Sequence, residues 1–240
     1  MRIELTPAYI LHQRAYRDTS LIIDFFSREY GLISALAKGA KRPRSPFRTA
    51  LQSFTPLYAS WVGNREMVTL TKLEVDHFNP RLMGNRLVAG FYLNEILLRL
   101  LSKGESHETI FDIYAIALQG LQQNEIENSL RQFELALLKE LGYGLLLEHD
   151  ADTGEQVDPQ SSYLYVFEHG PVKVSSARLS AQEGLLIKGE SLIALATDNL
   201  VTDDQRKQVR MLIRQALRPL LGSKPLQSRE LWQRVALPST

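Results

Sequence analysis

A dense group of basic side chains is the feature of this sequence best suited to binding a ligand. Five Lys or Arg residues fall within the 11 residues Lys38–Arg48, here called the basic loop, and no Asp or Glu occurs between Tyr30 and Arg65. Pro43 and Pro46 exclude a helix, so we predict an extended loop. Cations without opposing carboxylates suit phosphate contacts. The alternative is a loop that only faces solvent. The predicted contacts are Lys38, Lys41, Arg42, Arg44 and Arg48.

The aromatic residues near the basic loop have two alternative uses. Phe47 lies inside the polar loop, and we predict that it stacks on an unpaired base, as aromatic side chains of barrel-fold binders do. Trp61 and Phe54 fall where strands are predicted, and most aromatic residues of a small barrel fill its core. We therefore assign Phe47 to the binding site and predict that Trp61 and Phe54 are buried.

A second group of cations repeats every four residues near the end of the chain. This spacing places them on one face of a predicted helix, with apolar residues on the opposite face. One interpretation is a solvated face that pairs with nearby acids, and the other is an auxiliary track for DNA. The four residues are Arg206, Arg210, Arg214 and Arg218.

Motifs that would indicate an enzyme do not occur in the sequence. It has no cysteine, which excludes disulfides, thiolate metal sites and cysteine nucleophiles. It has neither a Gly-rich phosphate loop nor a Gly-x-Ser-x-Gly nucleophile elbow. We considered His149 with Asp150 and Asp152 as a metal site, but carboxylates on a polar loop more commonly face water. We therefore predict no catalysis, no cofactor and no metal.

Charge is distributed unequally along the chain. The net charge is +1, but residues 1–80 carry 11 Lys or Arg against 7 Asp or Glu, whereas residues 81–240 carry 17 against 20. The first part is therefore the better place for an anionic partner. No apolar run is long enough to span a bilayer, and the first residues do not resemble a secretory signal. We expect a cytoplasmic protein with no membrane partner.

Residues 1–80 have the pattern of a small all-β domain. Five runs rich in β-branched and aromatic residues are separated by short turns, and one longer connection runs from Gly39 to Ser53. This arrangement favours a five-stranded OB-type barrel, and an SH3-like barrel is the alternative. The predicted strands are Ala8–Tyr16, Ser20–Ser27, Leu32–Lys38, Phe54–Val62 and Met67–His77.

Residues 81–240 have the three- and four-residue hydrophobic spacing of helices. Residues 148–174 interrupt it with alternation and turn residues, which predicts a β-hairpin excursion. The predicted fold is therefore α+β and multidomain, with an OB-type barrel at 1–80 and a helical domain at 81–240 that carries the hairpin. The predicted helices are Met83–Leu101, residues 110–121, Leu130–Leu141 and one that ends at Leu221 after an N-cap at Thr202.

Several short groups of residues follow one another along nearly the whole chain. They are Asp18–Ile22 with Phe26–Gly31, Ala37–Arg42, Leu51–Leu57, Tyr92–Leu97, Leu130–Leu137 with Leu141–Gly144, and Lys224–Leu231. Each is weak alone, but their order and spacing are specific together. In these segments the sequence resembles the RecO family of bacterial DNA repair and recombination mediators.

The resemblance implies an OB barrel followed by a helical domain, in a nucleoid-associated protein. It implies binding of single- and double-stranded DNA, annealing of complementary strands and, with RecR, help in loading RecA onto DNA coated by single-strand-binding protein. The family often carries a four-cysteine zinc ribbon about where residues 148–174 lie here. Because this chain has no cysteine, the hairpin occupies a degenerate ribbon position and we predict no zinc.

The resemblance also implies a site for the C-terminal tail of single-strand-binding protein, which is acidic and ends in an apolar residue. Such a tail needs an apolar pocket with a cation at its rim. The third predicted helix offers that combination, with Phe133 and Leu137 directed into the helical bundle. The predicted tail site is Arg131, Leu135, Leu138 and Lys139.

Two other functions stay open from the residues alone. An OB barrel with a basic loop does not by itself separate RNA from DNA, so an RNA-binding nucleic-acid chaperone is one alternative. The other is a protein-docking adaptor whose basic loop is incidental and which has no direct role on DNA.

Overall fold

The computed structural model describes residues 1–63, 67–77, 81–174 and 184–236. The first five strands are β1 Arg2–Tyr16, β2 Ser20–Ser27, β3 Gly31–Ala37, β4 Leu57–Val62 and β5 Met67–Val75. They form a closed barrel in the order β1-β2-β3-β5-β4, in which β3 and β5 are parallel and the other neighbours are antiparallel. The predicted OB-type barrel is therefore confirmed.

The first strand is longer than predicted, since β1 begins at Arg2 rather than at Ala8. Leu5 has a φ of 47°, its N–H donates to the Ser60 hydroxyl at 3.0 Å, and the register with β4 shifts beside it. Such a bulge breaks the two-residue alternation by which a strand is recognised in sequence. Phe54 was predicted to begin β4, but its φ of 65° is incompatible with an extended strand.

The barrel core is filled by the inner faces of the five strands and by part of the loop that follows β3. The ring centroids of Phe25 and Trp61 are 5.2 Å apart, and Tyr30 packs edge-on against Trp61. The prediction that Trp61 is a core residue is therefore confirmed. Phe54 is buried as predicted, but its ring packs against Phe91 rather than among the core residues of the barrel.

Helices account for most of the remaining described chain. The later predicted helix has the predicted N-cap, because the Thr202 hydroxyl accepts from the Gln205 N–H in a capping box. The helices are α1 Asn85–Leu100, α2 Glu108–Gln122, α3 Ile126–Glu140, α4 Gly189–Ala196, α5 Asp203–Leu221 and α6 Gln227–Ala236. The two short helices α4 and α6 were not predicted.

Residues 148–174 contain the predicted hairpin, formed by β6 (Ser162–Val166) and β7 (Gly170–Lys173). A third strand, β8 (Leu185–Lys188), pairs with the other edge of β6 and gives the order β7-β6-β8. Sequence reasoning did not find β8, because its four residues run directly into α4 and leave too short a period to recognise.

Close packing groups the chain differently from the predicted boundary at residue 80. One compact unit contains Met1–Phe133 together with the segment from Lys224 onwards, and the other contains Glu134–Ser223. Within the first unit, buried hydrogen bonds connect α2, α1 and β1: the Tyr114 hydroxyl donates to the Asn94 side-chain oxygen at 2.6 Å, and the Asn94 amide donates to the Leu11 carbonyl at 2.8 Å. The barrel and these helices therefore share one packed interior.

Candidate nucleic-acid interface

The basic loop is a series of tight turns rather than the extended segment that was predicted. The Arg42 N–H donates to the Gly39 carbonyl and the Ser45 N–H to the Arg42 carbonyl, both at 3.0 Å. Gly39 has a φ of 70°, a conformation that favours glycine and allows the first turn. Pro43 disfavours a helical conformation for the residue before it but tolerates turns. The segment is therefore not a helix, as predicted, but its local hydrogen bonds make it compact rather than extended.

All five predicted cations of the basic loop are exposed, whereas Ala40 and Phe47, which lie between them, are buried. Ala40, Phe47 and Ala50 belong to the barrel core. Their burial fixes the loop backbone against the barrel and leaves the cationic side chains outside. Within the described part of the chain, no carboxylate forms an ion pair with a cation of this loop, so their charges are available to an anionic ligand.

Phe47 is not a base-stacking residue in this arrangement. Only 6% of its surface is exposed, and it packs in the barrel core. The prediction that it contacts DNA is wrong, because burying a phenyl ring under the barrel is worth about 2 kcal/mol or more and the turns of the loop allow it to point inward. A polar sequence neighbourhood does not show which way one apolar side chain points.

The turn between β1 and β2 lies beside the basic loop, which sequence reasoning missed. The Lys41 N–H donates to the Thr19 carbonyl at 2.9 Å. This contact brings Tyr16 and Arg17 next to the loop, around a cavity of about 310 Å³. The sequence marked residues 17–18 only as a turn signal, and nothing in it indicated that the turn meets residues more than 20 positions later.

The second group of cations, here called the arginine stripe, lies on α5 opposite the buried Val209, Leu212, Ile213 and Leu217. The arginine stripe is Arg206, Arg210, Arg214 and Arg218. Arg206 is half-buried and is bonded to Asp203 at 2.8 Å and to the Leu200 carbonyl at 3.2 Å. Arg210, Arg214 and Arg218 are exposed. Arg206 is therefore bonded to residues at the start of its own helix.

The predicted tail site lies on α3, and its four residues differ in exposure. Arg131 and Leu135 are half-buried and Lys139 is exposed; the Arg131 guanidinium donates to the Asn128 side-chain oxygen at 2.7 Å. Phe133 and Leu137 are buried as predicted, but so is Leu138, with 0% exposure. The inclusion of Leu138 in an open pocket is therefore wrong, because adjacent positions 137 and 138 share one wide apolar stripe of the helix.

Asp150, which we weighed as a metal ligand beside His149, serves as a backbone acceptor. One carboxylate oxygen accepts the N–H groups of Asp152 and Thr153 at 2.9 Å, and the other accepts that of Lys173 at 2.6 Å. Burial alone would raise the pKa of Asp150, but these hydrogen bonds outweigh it and hold the pKa below its ordinary value. Among the described residues, no group of three His, Cys, Asp or Glu side chains is placed to hold a metal ion.

Comparison with known proteins places this barrel and these helices in one family. A family model described as Recombination protein O N terminal matches residues 1–78, and one described as Recombination protein O C terminal matches residues 81–230. The chain belongs to the RecO family.

Curated relatives support the same assignment over nearly the full length. Proteins named DNA repair protein RecO are 38% identical in Aromatoleum aromaticum, covering 96% of this chain and 95% of the relative, and 42% identical in Nitrosococcus oceani, covering 96% and 93%. A third, from Vibrio atlanticus, is 41% identical and covers 95% and 93%. Over the described residues, this RecO-family chain has no helix long and apolar enough to cross a membrane.

Proposed function

We propose that this RecO-family protein is a DNA repair and recombination mediator that binds single- and double-stranded DNA through the basic loop, without catalysing a reaction. The observation that carries the proposal is the exposure of Lys38, Lys41, Arg42, Arg44 and Arg48 on a loop that Ala40 and Phe47 anchor in the barrel core. The relatives bear the name DNA repair protein, which supports DNA as the polyanion.

The mechanism follows from the charge arrangement. Each loop cation that contacts a phosphate displaces a condensed counterion, so binding is favoured by counterion release and weakens as salt rises. Annealing requires two polyanionic strands to approach, and a protein that neutralises several adjacent phosphates lowers their mutual repulsion. We propose that annealing of complementary strands is one activity of the basic loop.

Assembly with other repair proteins is part of the proposal. RecR is the proposed partner in loading RecA onto DNA coated by single-strand-binding protein, in the cytoplasm and on the nucleoid. The tail of single-strand-binding protein is proposed to bind α3 through Arg131 and Lys139 as cations and Leu135 as the apolar contact. These side chains are not fully buried, which supports their access to a peptide.

The arginine stripe of Arg206, Arg210, Arg214 and Arg218 is proposed as an auxiliary DNA track. The exposure of Arg210, Arg214 and Arg218 supports this role. A variant with the three exposed arginines changed to Ala tests the track by its affinity for duplex DNA at matched salt.

The direct test changes Lys41, Arg42 and Arg44 together to Ala. Binding of a labelled single-stranded oligonucleotide is expected to weaken strongly, because three phosphate contacts are lost. Folding is expected to survive, since exposed cations contribute little to stability. The matched control is Arg2, Lys207 and Arg229 changed to Ala, which removes the same charge from exposed positions elsewhere.

Four outcomes of the DNA and RNA titrations bear on the proposal. Equal affinity of the parent and the loop variant would contradict it, as would equal losses in the loop and control variants. A parallel titration with RNA of the same sequence separates DNA from RNA as the ligand: tighter RNA binding favours the chaperone alternative. No binding to either nucleic acid favours the docking adaptor.

A further inference from the structure

A cavity beside the basic loop has walls from two separate segments. We call it the turn pocket; its volume is about 310 Å³ and it lies between the β1–β2 turn and the residues that follow β3. The hydrogen bond from the Lys41 N–H to the Thr19 carbonyl, 2.9 Å long, joins the two walls. The lining residues are Tyr16, Arg17, Thr19, Ser20, Leu36, Lys38, Gly39 and Arg42.

Two of the three cations of the turn pocket have local contacts. Arg42 lies over Gly39, where a Cβ atom would meet the Arg42 side chain at 3.4 Å. Arg17 occupies the turn with a φ of 53°, and its guanidinium carbon lies 5.3 Å from the centre of the Tyr16 ring, within the range of a cation–π contact. The ring therefore helps to orient Arg17 towards one side of the cavity.

The lining has the chemistry of a nucleotide site. It contains three cations and three hydroxyl groups, and none of its residues is Asp or Glu. Arg17, Lys38 and Arg42 suit a phosphate, while Tyr16 offers an aromatic surface for a base. The volume of about 310 Å³ is at the lower end of the range for small-molecule sites, which suits one nucleotide.

We propose that the turn pocket holds one nucleotide of an unpaired strand, with its phosphate bound by Arg17, Lys38 and Arg42 and its base against Tyr16. This inference rests on the proposed DNA binding and adds what distinguishes single from double strands. The other loop cations bind phosphates of either form, whereas a paired base is not free to enter the pocket. A free nucleoside monophosphate offers the same chemistry, so the test includes it.

The first variants separate the ring from the charge. Tyr16→Leu is expected to weaken binding of a single-stranded thymidine oligonucleotide by roughly tenfold, the usual scale for loss of one stacked base, and to leave binding of a duplex of equal length unchanged. Tyr16→Phe keeps the ring and is expected to bind as the parent does. Melting temperatures of both variants show whether the barrel remains folded.

The second pair of variants counts phosphate contacts. Arg17→Ala is expected to reduce the log–log salt slope for the single strand by about 0.7, the contribution of one contact. Arg2→Ala removes the same charge at the opposite end of β1, where Arg2 pairs with Glu4, and is expected to keep the parent slope. Arg17 is an exposed turn residue, so this variant tests the pocket even if Tyr16→Leu does not fold.

The outcomes separate this inference from the proposed function. If Tyr16→Leu binds single strands like the parent, or loses duplex binding equally, the turn pocket is not a nucleotide site. The DNA-binding proposal then still stands, provided that the variant with Lys41, Arg42 and Arg44 changed to Ala loses affinity. If the parent binds neither strand form, both proposals fail. Saturable binding of thymidine monophosphate that does not compete with the oligonucleotide would also overturn the strand-binding role.

Discussion

Apolar residues within and just after the basic loop keep its cations on the surface of the barrel. Ala40, Phe47 and Ala50 are buried in the barrel core, so the loop has little freedom to fold its cations back onto the protein. A fixed display loses less conformational entropy when a strand binds than a mobile loop would. Phe47, which was predicted to contact DNA, therefore anchors the loop that carries the proposed contacts.

Arg131 is one of the two cations of the proposed tail site on α3, together with Lys139. Arg131→Ala is expected to weaken binding of an acidic tail peptide by about 1–3 kcal/mol, because a charged hydrogen bond to the peptide carboxylate is lost. Binding of bare DNA is expected to stay intact, because the basic loop is unchanged. Peptide titration of the parent and the variant measures the difference.

Lys139→Ala is the comparison for that titration, since Lys139 is an exposed cation two turns further along the same helix. Equal peptide affinities for the parent and both variants would remove the tail site from α3. A parallel loss of DNA binding in Arg131→Ala would show instead that the substitution damages the fold.

The residue types indicated where the charges of the candidate site are clustered. They did not indicate which way single apolar side chains point. The five loop cations were recognisable because a cluster without acids is a property of composition. Phe47 and Leu138 were misplaced because burial depends on partners from distant segments, which one sequence does not display. Tyr16 and Arg17 were missed for the same reason: the Lys41–Thr19 hydrogen bond exists only in the folded chain.

At the scale of elements, α6 is held to α1 by one carboxylate. Glu95 accepts the N–H groups of Gln227 and Ser228, both at 2.9 Å, and the Ser228 hydroxyl at 2.8 Å. These N–H groups belong to the start of α6 and have no partner within the helix. Arg99 bonds Glu95 at 2.7 Å and the Pro225 carbonyl at 2.6 Å, which fixes the chain just before the helix.

This arrangement predicts that acid weakens the attachment of α6. Burial alone would raise the pKa of Glu95, but the hydrogen bonds from Ser228 and Gln227, with the charge of Arg99, hold the pKa below its ordinary value of 4.5. A lowered pKa means that the carboxylate stabilises the fold above that ordinary value, and that this stabilisation is lost as pH falls through the lowered pKa.

Glu95→Gln is expected to increase hydrogen exchange of the α6 backbone at neutral pH. In this variant the attachment of α6 is expected not to weaken further as the pH falls. Glu230→Gln is the control, because Glu230 is an exposed acid of the same helix. Hydrogen exchange read by mass spectrometry on α6 peptides measures the effect. Unchanged exchange in Glu95→Gln would show that apolar packing alone holds this helix.

Long elements were predictable from periodicity, and short ones were not. The barrel strands and α5 have enough residues to show a period, and α5 also has the Thr202 cap. β8 has four residues and α4 has eight, so neither repeats its pattern clearly. The β1 bulge at Leu5 accompanies a hydrogen bond to Ser60 of β4, and Phe54, whose backbone is left-handed, packs against Phe91 of α1. The alternation of residues along a strand indicates neither contact.

At the scale of the whole molecule, the charge asymmetry and the basic loop belong together. Residues 1–80 hold the excess of cations, and within them Arg2 pairs with Glu4 while Arg28 bonds Asp112 and Glu108. Five cations that form no ion pair among the described residues therefore lie together in the basic loop, beside the turn pocket. The fold class and the family followed from sequence, whereas the grouping of the barrel with α1, α2 and α6 in one compact unit required the structure.

The salt dependence of single-strand binding tests the central claim most directly. If the five loop cations each contact a phosphate, they contribute about −3.5 to the log–log slope, at about 0.7 per contact. Changing Lys41, Arg42 and Arg44 to Ala is then expected to make the slope shallower by about 2, while the control with Arg2, Lys207 and Arg229 changed to Ala keeps the parent slope. Parallel salt plots for the parent and the loop variant would contradict DNA binding through the basic loop.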